Sequence, residues 1–451
     1  MAIINEISLS RIAEFKRTDA EYFRPDYEHY FEQLSSCKVD RIKDFAIITD
    51  GIHGSPEVVN NGVRYISAKC VKDNEFVIEE CINISYKQHE TNPRTQLRKD
   101  DVIITTVGTI GNVAVADNDI IPSNCDRHVG IIRIKESPTF SPFYLSTFLN
   151  SKYGRFQSLR EAAGNVQLNL YINNIGRIIV PRFEFAEHEI DNSVRTAYQL
   201  RREAKTLYIQ AQELLESELR MDKFSIIKPV GYKALFSEIE NSRRSDAQHY
   251  QPRFAQLLAH LATFQTRKIR EIRTYNRRGV QPMYVNNGAF DVVNSQHLGT
   301  RHIDYAGLQK TSPSAYSATP EAHIRLNDIL IYSTGAYVGR SNVYLSERPA
   351  LASNHVNILR LNPGIDSAYM ALVFQSVIGR FQTAKHARGS AQSELYPADI
   401  DRFIVPLLEQ VKQKEIGNLV RESLEKHQES KRLLEQAKAR VEQLIEEAVK
   451  S

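Results

Sequence analysis

At 451 residues, with 42% hydrophobic and 25% charged side chains, the chain has the composition of an ordinary globular protein with room for roughly two to four domains. No apolar stretch approaches the roughly 20 residues needed to span a bilayer, and the opening MAIINEISLSRIAEF lacks the apolar core of a signal peptide, so a cytoplasmic location is expected. Four scattered cysteines (Cys37, Cys70, Cys81, Cys125) argue for reduced thiols rather than a disulfide framework or zinc site, and the net charge of +4 is uneven: −2 over residues 1–185, −3 over 186–222, +9 over 223–406 and zero over 407–451. The +9 segment is a candidate polyanion binder, or else a merely basic surface.

In chain order, Tyr22, Tyr27, Tyr30, Phe31 and Leu34 recur at helical intervals and predict a short helix around 19–34. Residues 40–135 carry strand signals: Phe45-Ala46-Ile47-Ile48, Val102-Ile103-Ile104 and Val129-Gly130-Ile131-Ile132 are short, β-branched and bounded by Gly, Asn, Asp or Pro. Residues 141–163 read as helical, followed by a loop at 164–170 and a strand ending at Pro181. The same order then returns between 246 and 406. Asp19-Ala20-Glu21-Tyr22-Phe23-Arg24-Pro25 reappears as Asp246-Ala247-Gln248-His249-Tyr250-Gln251-Pro252, and GRFQ at 154–157 recurs at 379–382. Gly164, Gln167, Tyr171 and the Ile-Val-Pro ending at Pro181 match Gly389, Gln392, Tyr396 and the Ile-Val-Pro ending at Pro406. A period this long is not a solenoid repeat of roughly 20–50 residues. It predicts an α+β fold made twice, with mixed sheets and peripheral helices.

Each copy runs into a charged tract free of proline. In the first, Leu200, Ala204, Leu207, Ala211 and Leu214 alternate by four and three; in the second, Ser430, Leu434, Ala437, Val441, Leu444 and Ala448 do the same. One apolar seam per helix suits a two-stranded coiled coil, and pairing of the two tracts with each other, antiparallel, is expected, the alternatives being that each helix docks on its own domain or dimerises between chains. At about 1.5 Å per residue the first tract would span roughly 50 Å, the scale on which modules reading one face of a duplex are spaced. The domain reading is therefore 1–185, first globular copy; 186–222, first long helix; 223–406, second globular copy; and 407–451, second long helix.

Catalytic signatures are missing. There is no GxxxxGK[ST], HExxH, CxxC pair or GxSxG, and no Asn/Asp-Pro-Pro-aromatic tetrapeptide of an amino-methyltransferase. Glu203-Ala204-Lys205 has the ExK form of a nuclease metal site but sits on a helix face, so no catalytic or metal-binding residue is assigned. Candidates for DNA contact lie in loops. Thr105–Asn112 and Ser333–Arg340 each follow a strand and hold paired glycines, as a plain turn or a phosphate cradle would; their tips differ, Thr109 and Asn112 against Tyr337 and Arg340. The loop with Asn165, Gln167 and Asn169, and its counterpart with Arg388, Ser390 and Gln392, offer amides and a guanidinium that can pair with base edges or simply satisfy the loop. Asn124 and Arg127, facing Asn354, form a third polar group; Lys69 joins them, and Arg277 and Arg278 are candidates for phosphate contact.

Two variable halves, each ending in a Tyr…Ile…Ile-Val-Pro strand and a long helix, resemble the DNA specificity (S) subunit of Type I restriction–modification systems. GNVQLNLYINNIGRIIVP at 164–181 and GSAQSELYPADIDRFIVP at 389–406 carry the resemblance best. It implies a subunit without catalysis or cofactor of its own, whose halves are target recognition domains reading a split, asymmetric DNA sequence across a spacer set by the helices. It also implies two methyltransferase partners carrying S-adenosylmethionine and methylating adenine N6, with motor–nuclease subunits using ATP and Mg²⁺ as further partners. A protein-binding adaptor and a stand-alone DNA-modifying enzyme are the competing readings.

Overall fold

A computed structural model of the chain describes residues 5–135, 140–164, 167–227, 229–389 and 392–450. It divides into two units, one of Met1–Arg201 with Gln428–Ser451 and one of Arg202–His427. Both are α+β.

In the first unit a four-stranded antiparallel sheet runs in the order Ala46–Asp50, Val129–Ile134, Val102–Thr105, Val113–Val115. A second, mixed sheet places Val58–Ile66 between Ile82–Ile84 and Ser123–Cys125, parallel to the latter. The strand Ile179–Pro181 pairs with Val39–Arg41. Alternation along Val102–Thr105 explains why this strand reads as continuously apolar: Val102 and Ile104 enter one core with helix Pro142–Asn150, while Ile103 enters another beneath the second sheet.

The second unit repeats this plan. Its antiparallel sheet runs Arg273–Arg278, Val356–Leu361, Ile329–Tyr332, Ser341–Val343, and its mixed sheet contains the parallel pair Phe290–Val293 and Ala350–Ala352. Ile329 and Ile331 face one core and Leu330 another.

The repeated words in the sequence turn out to be scaffold. In GRFQ the glycine lets the second helix of a pair approach the first: a Cβ on Gly154 would lie 2.3 Å from the Phe148 carbonyl oxygen, and on Gly379 2.0 Å from that of Phe374. The glutamine closes a strand edge. Gln157 donates to Ile179 O at 2.8 Å and accepts from Ile179 N at 3.0 Å; Gln382 does the same with Ile404 at 2.8 and 2.6 Å. Tyr144 and Tyr369 donate to the carbonyls of Pro181 and Pro406. Asp101 and Asp328, both buried, each accept two guanidinium bonds at 2.6–2.7 Å, from Arg133 and Arg360. The opening motif is a clamp in which Arg17 and Arg244 bind Asp19 and Asp246 and reach the carbonyls of Ala162 and Ala387.

Two expected helices differ in extent. The first is a turn over residues 20–23 followed by Pro25–Ser35, because proline is tolerated in the first helical turn and not inside. The stretch 141–163 is two helices, Pro142–Asn150 and Lys152–Glu161, broken at Ser151, whose hydroxyl caps the second.

The charged tracts are single helices, Glu184–Glu218 and Gln410–Lys450. Within the first unit Ser430 donates to Ala197 O at 2.6 Å, and Val194 shares a core with Ala437, Val441 and Ile445. Within the second unit Ser423 donates to Ala204 O at 2.6 Å, while Glu203–Lys426 and Glu218–Lys412 pair at 2.8 and 3.0 Å, with numbers rising on one helix as they fall on the other. The helices are antiparallel in each. The seam is shifted from the expected one. Ala204, Ala211, Ala437 and Val441 are buried, but Leu200, Leu207, Leu214, Leu434, Leu444 and Ala448 are half-buried flanks. Tyr208 and Leu215 take the central positions beside Leu207 and Leu214, and Ile445 that beside Leu444. Among the described residues no helix is long and apolar enough to cross a membrane.

Candidate nucleic-acid interface

The two loops singled out in each copy are brought together in each unit. In the first, Val107 and Ala163 both bridge Asn169, and Leu170 N donates to Thr106 O at 2.9 Å. In the second, Thr334 and Arg388 both bridge Glu394, Gly335 N donates to Ser393 O, and Leu395 N donates to Ser333 O, each at 2.9 Å. The glycines make the loops possible. Gly108, Gly111, Gly335 and Gly339 all have positive φ, from +76° to +125°, where a side chain is strained.

Around this shared frame the units differ in charge. In the second, Arg278 lies over the ring of Tyr396 at 4.5 Å, donates to Leu395 O at 3.2 Å and stands 3.8 Å from Glu394. It therefore braces the loops, whereas Arg277 is exposed, acts electrostatically on Tyr275 and makes no side-chain hydrogen bond or ion pair among the described residues. Tyr337 and Arg340 stack at 3.7 Å on the loop tip, and exposed Arg388 pairs with buried Asp399 at 2.9 Å. The Glu394 carboxylate, accepting from Tyr396, holds that phenol above its ordinary pKa. Behind the loops, burial and then the neighbouring Lys385, His249, Arg402 and Arg244 push His386 down to about 3, so it is neutral at physiological pH.

Two candidates of the first unit are spent internally. Asn124 is fully buried in a strand and donates to Thr95 Oγ1 at 2.8 Å and Asn92 O at 3.2 Å. Asn112 is 8% exposed, donates to Val71 O at 3.1 Å and accepts from Arg155 at 2.6 Å. Their amides hold the fold, so neither is presented to a base. Thr109, Lys69, Arg127 and Gln167 are exposed, Asn169 and Asn354 half-buried, and Gln392 exposed; Asn165 and Ser390 lie outside the described residues. Among the described residues no group of three His, Cys, Asp or Glu side chains is placed to hold a metal. Sequence reasoning does not single out Arg380, although the recurring GRFQ string contains it and the structure exposes it beside the Ser333–Arg340 loop.

No family model matches the chain, and no curated protein aligns with it. Solved structures do. The chain is similar to Type I restriction–modification S subunits. The S subunit from M. genitalium is 13% identical over 91% of this chain and 95% of its own, with a TM-score of 0.45. The HsdS subunit from Thermoanaerobacter tengcongensis is 15% identical over 92% and 96%, with a TM-score of 0.28. A structure from work on complex assembly and conformational transition of the type I R-M system is 14% identical over 92% and 96%, with a TM-score of 0.31.

Proposed function

We propose that the chain is a non-catalytic, sequence-specific DNA-binding subunit acting in the cytoplasm, whose two units each read one half of a bipartite, asymmetric target. The observation that carries this reading is a scaffold whose edge-closing glutamine, buried Asp–Arg pair and Tyr–Pro bond recur in both units while the paired loops it presents differ in charge and side-chain type. A protein that repeats a frame and varies its tips is built to recognise two different things with one geometry. The exposed Arg277, Arg388 and Tyr337 suit a polyanion with base edges, and the +9 segment supplies the long-range attraction. The long helices would set the spacer between half-sites and dock two methyltransferase subunits. Those partners would carry S-adenosylmethionine and flip the target adenine for N6 methylation; restriction subunits using ATP and Mg²⁺ would join the same assembly.

The test is a swap of residues 1–185 for the first half of another S-like chain, followed by methylome sequencing with methyltransferase subunits supplied. One half-site is expected to change. Alteration of both half-sites, or the absence of any bipartite consensus in binding selections from random duplexes, would refute the proposal.

A further inference from the structure

We propose that the second unit binds a phosphate group in the cavity between its Ser333–Arg340 loop and helix Val377–His386, held by Arg340 and Arg380, and that the first unit has closed the equivalent place. The cavity measures about 420 Å³ and is lined by the loop together with Thr300, Arg380, Thr383 and Gly389. No carboxylate is among its described lining residues, and neither arginine has an acidic partner among the described residues. Two guanidinium groups lining one polar cavity without a counter-charge favour an anion within it. Arg340 is set in position by stacking on Tyr337. Loop and helix are locked together at Gly339, where φ is +91° and a Cβ would meet Thr383 at 2.6 Å.

The first unit shows what the same frame looks like when it is satisfied from within. Arg155 occupies the GRFQ position of Arg380, but it donates to Asn112 Oδ1 at 2.6 Å and forms an ion pair with Asp73. Asn112, the counterpart of Arg340, is buried against it. One copy thus holds a single arginine neutralised by its own chain, the other two arginines open to a ligand. The inference rests on the DNA-reading proposal for the source of the phosphate, a duplex backbone; a free phosphate has the same recognition chemistry.

The experiment measures binding of the full chain, with methyltransferase subunits supplied, to a labelled target duplex and a scrambled one across a salt series. R340Q, R380Q and the double variant are compared with R340K/R380K. A backbone contact predicts that each Gln substitution lowers the salt slope by about 0.9 on both duplexes, and that the Lys pair restores it. An unchanged slope in the double Gln variant would overturn the backbone contact, and so would a loss confined to the target duplex, which would mean base readout. Broadening of the ³¹P signal of inorganic phosphate by wild type and not by the double Gln variant supports the anion site whatever the DNA result. No broadening by wild type together with an unchanged slope removes the site altogether. Failure of wild type to bind either duplex would instead strike at the DNA-reading proposal, with the ³¹P result still judging the cavity.

Discussion

Replacing Gln157 by leucine tests whether the repeated GRFQ word is structural. The side chain is 4% exposed and makes two bonds to the backbone of Ile179, itself 6% exposed. Leucine keeps much of the volume but leaves a buried N–H and a buried C=O unpaired, each costing about 1–3 kcal/mol, so about 4 kcal/mol in all. Gln382→Leu breaks the matching bonds to Ile404, but that residue is half-exposed and water can replace part of the loss, leaving about 2 kcal/mol. Urea unfolding, with native-state hydrogen exchange at Ile179 and Val180 or at Ile404 and Val405, reads each unit separately. A cost below about 1 kcal/mol for Q157L, or a Q382L cost equal to or above it, would refute the reasoning.

Three further outcomes are expected. Gly379→Ala places a Cβ 2.0 Å from the Phe374 carbonyl oxygen and should cost about 3 kcal/mol or more by urea unfolding; a neutral result would mean the helix pair is not tightly apposed. Ser430→Leu removes the bond to Ala197 O and overfills a seam of small residues, so melting of the first unit should fall by about 1–3 kcal/mol, and an increase in stability would contradict the close approach seen here. The Arg17 guanidinium holds the Asp19 carboxyl below its ordinary value, and Arg244 does the same for Asp246. A depressed carboxyl stabilises above its unfolded pKa of about 3.9, and that contribution is lost as pH falls through the folded value. The clamp should therefore hold from neutral pH down to about 4 and open below it. Rate-corrected exchange of the Tyr22 amide, bonded to Asp19 O, checks this, and opening already at about pH 6 would count against it.

The duplicated plan was legible in the sequence because its markers are residues with one job each. Gly154 and Gly379 permit contact, Gln157 and Gln382 close an edge, and proline ends the last strand. The seam was half legible. A 4-3 pattern of Leu and Ala fits the helices, but the neighbouring register, through Val194, Ala197, Ala204, Tyr208 and Leu215, fits equally well once tyrosine counts as apolar. Tertiary contact decides between them. The loops were found, yet not which polar groups in them are free: Asn112, Asn124 and Arg278 look like readers until their partners, distant in sequence, are known. Local sequence names a donor but not what it already holds.

The first unit owes part of its core to Ala437, Val441 and Ile445, which the ribosome delivers more than two hundred residues after the rest of that core. The core of the later-encoded unit, by contrast, is complete by Val420 and the flanking Leu424. Vectorial synthesis usually completes the N-terminal module first; here the last core residues of the first unit leave the ribosome after those of the second.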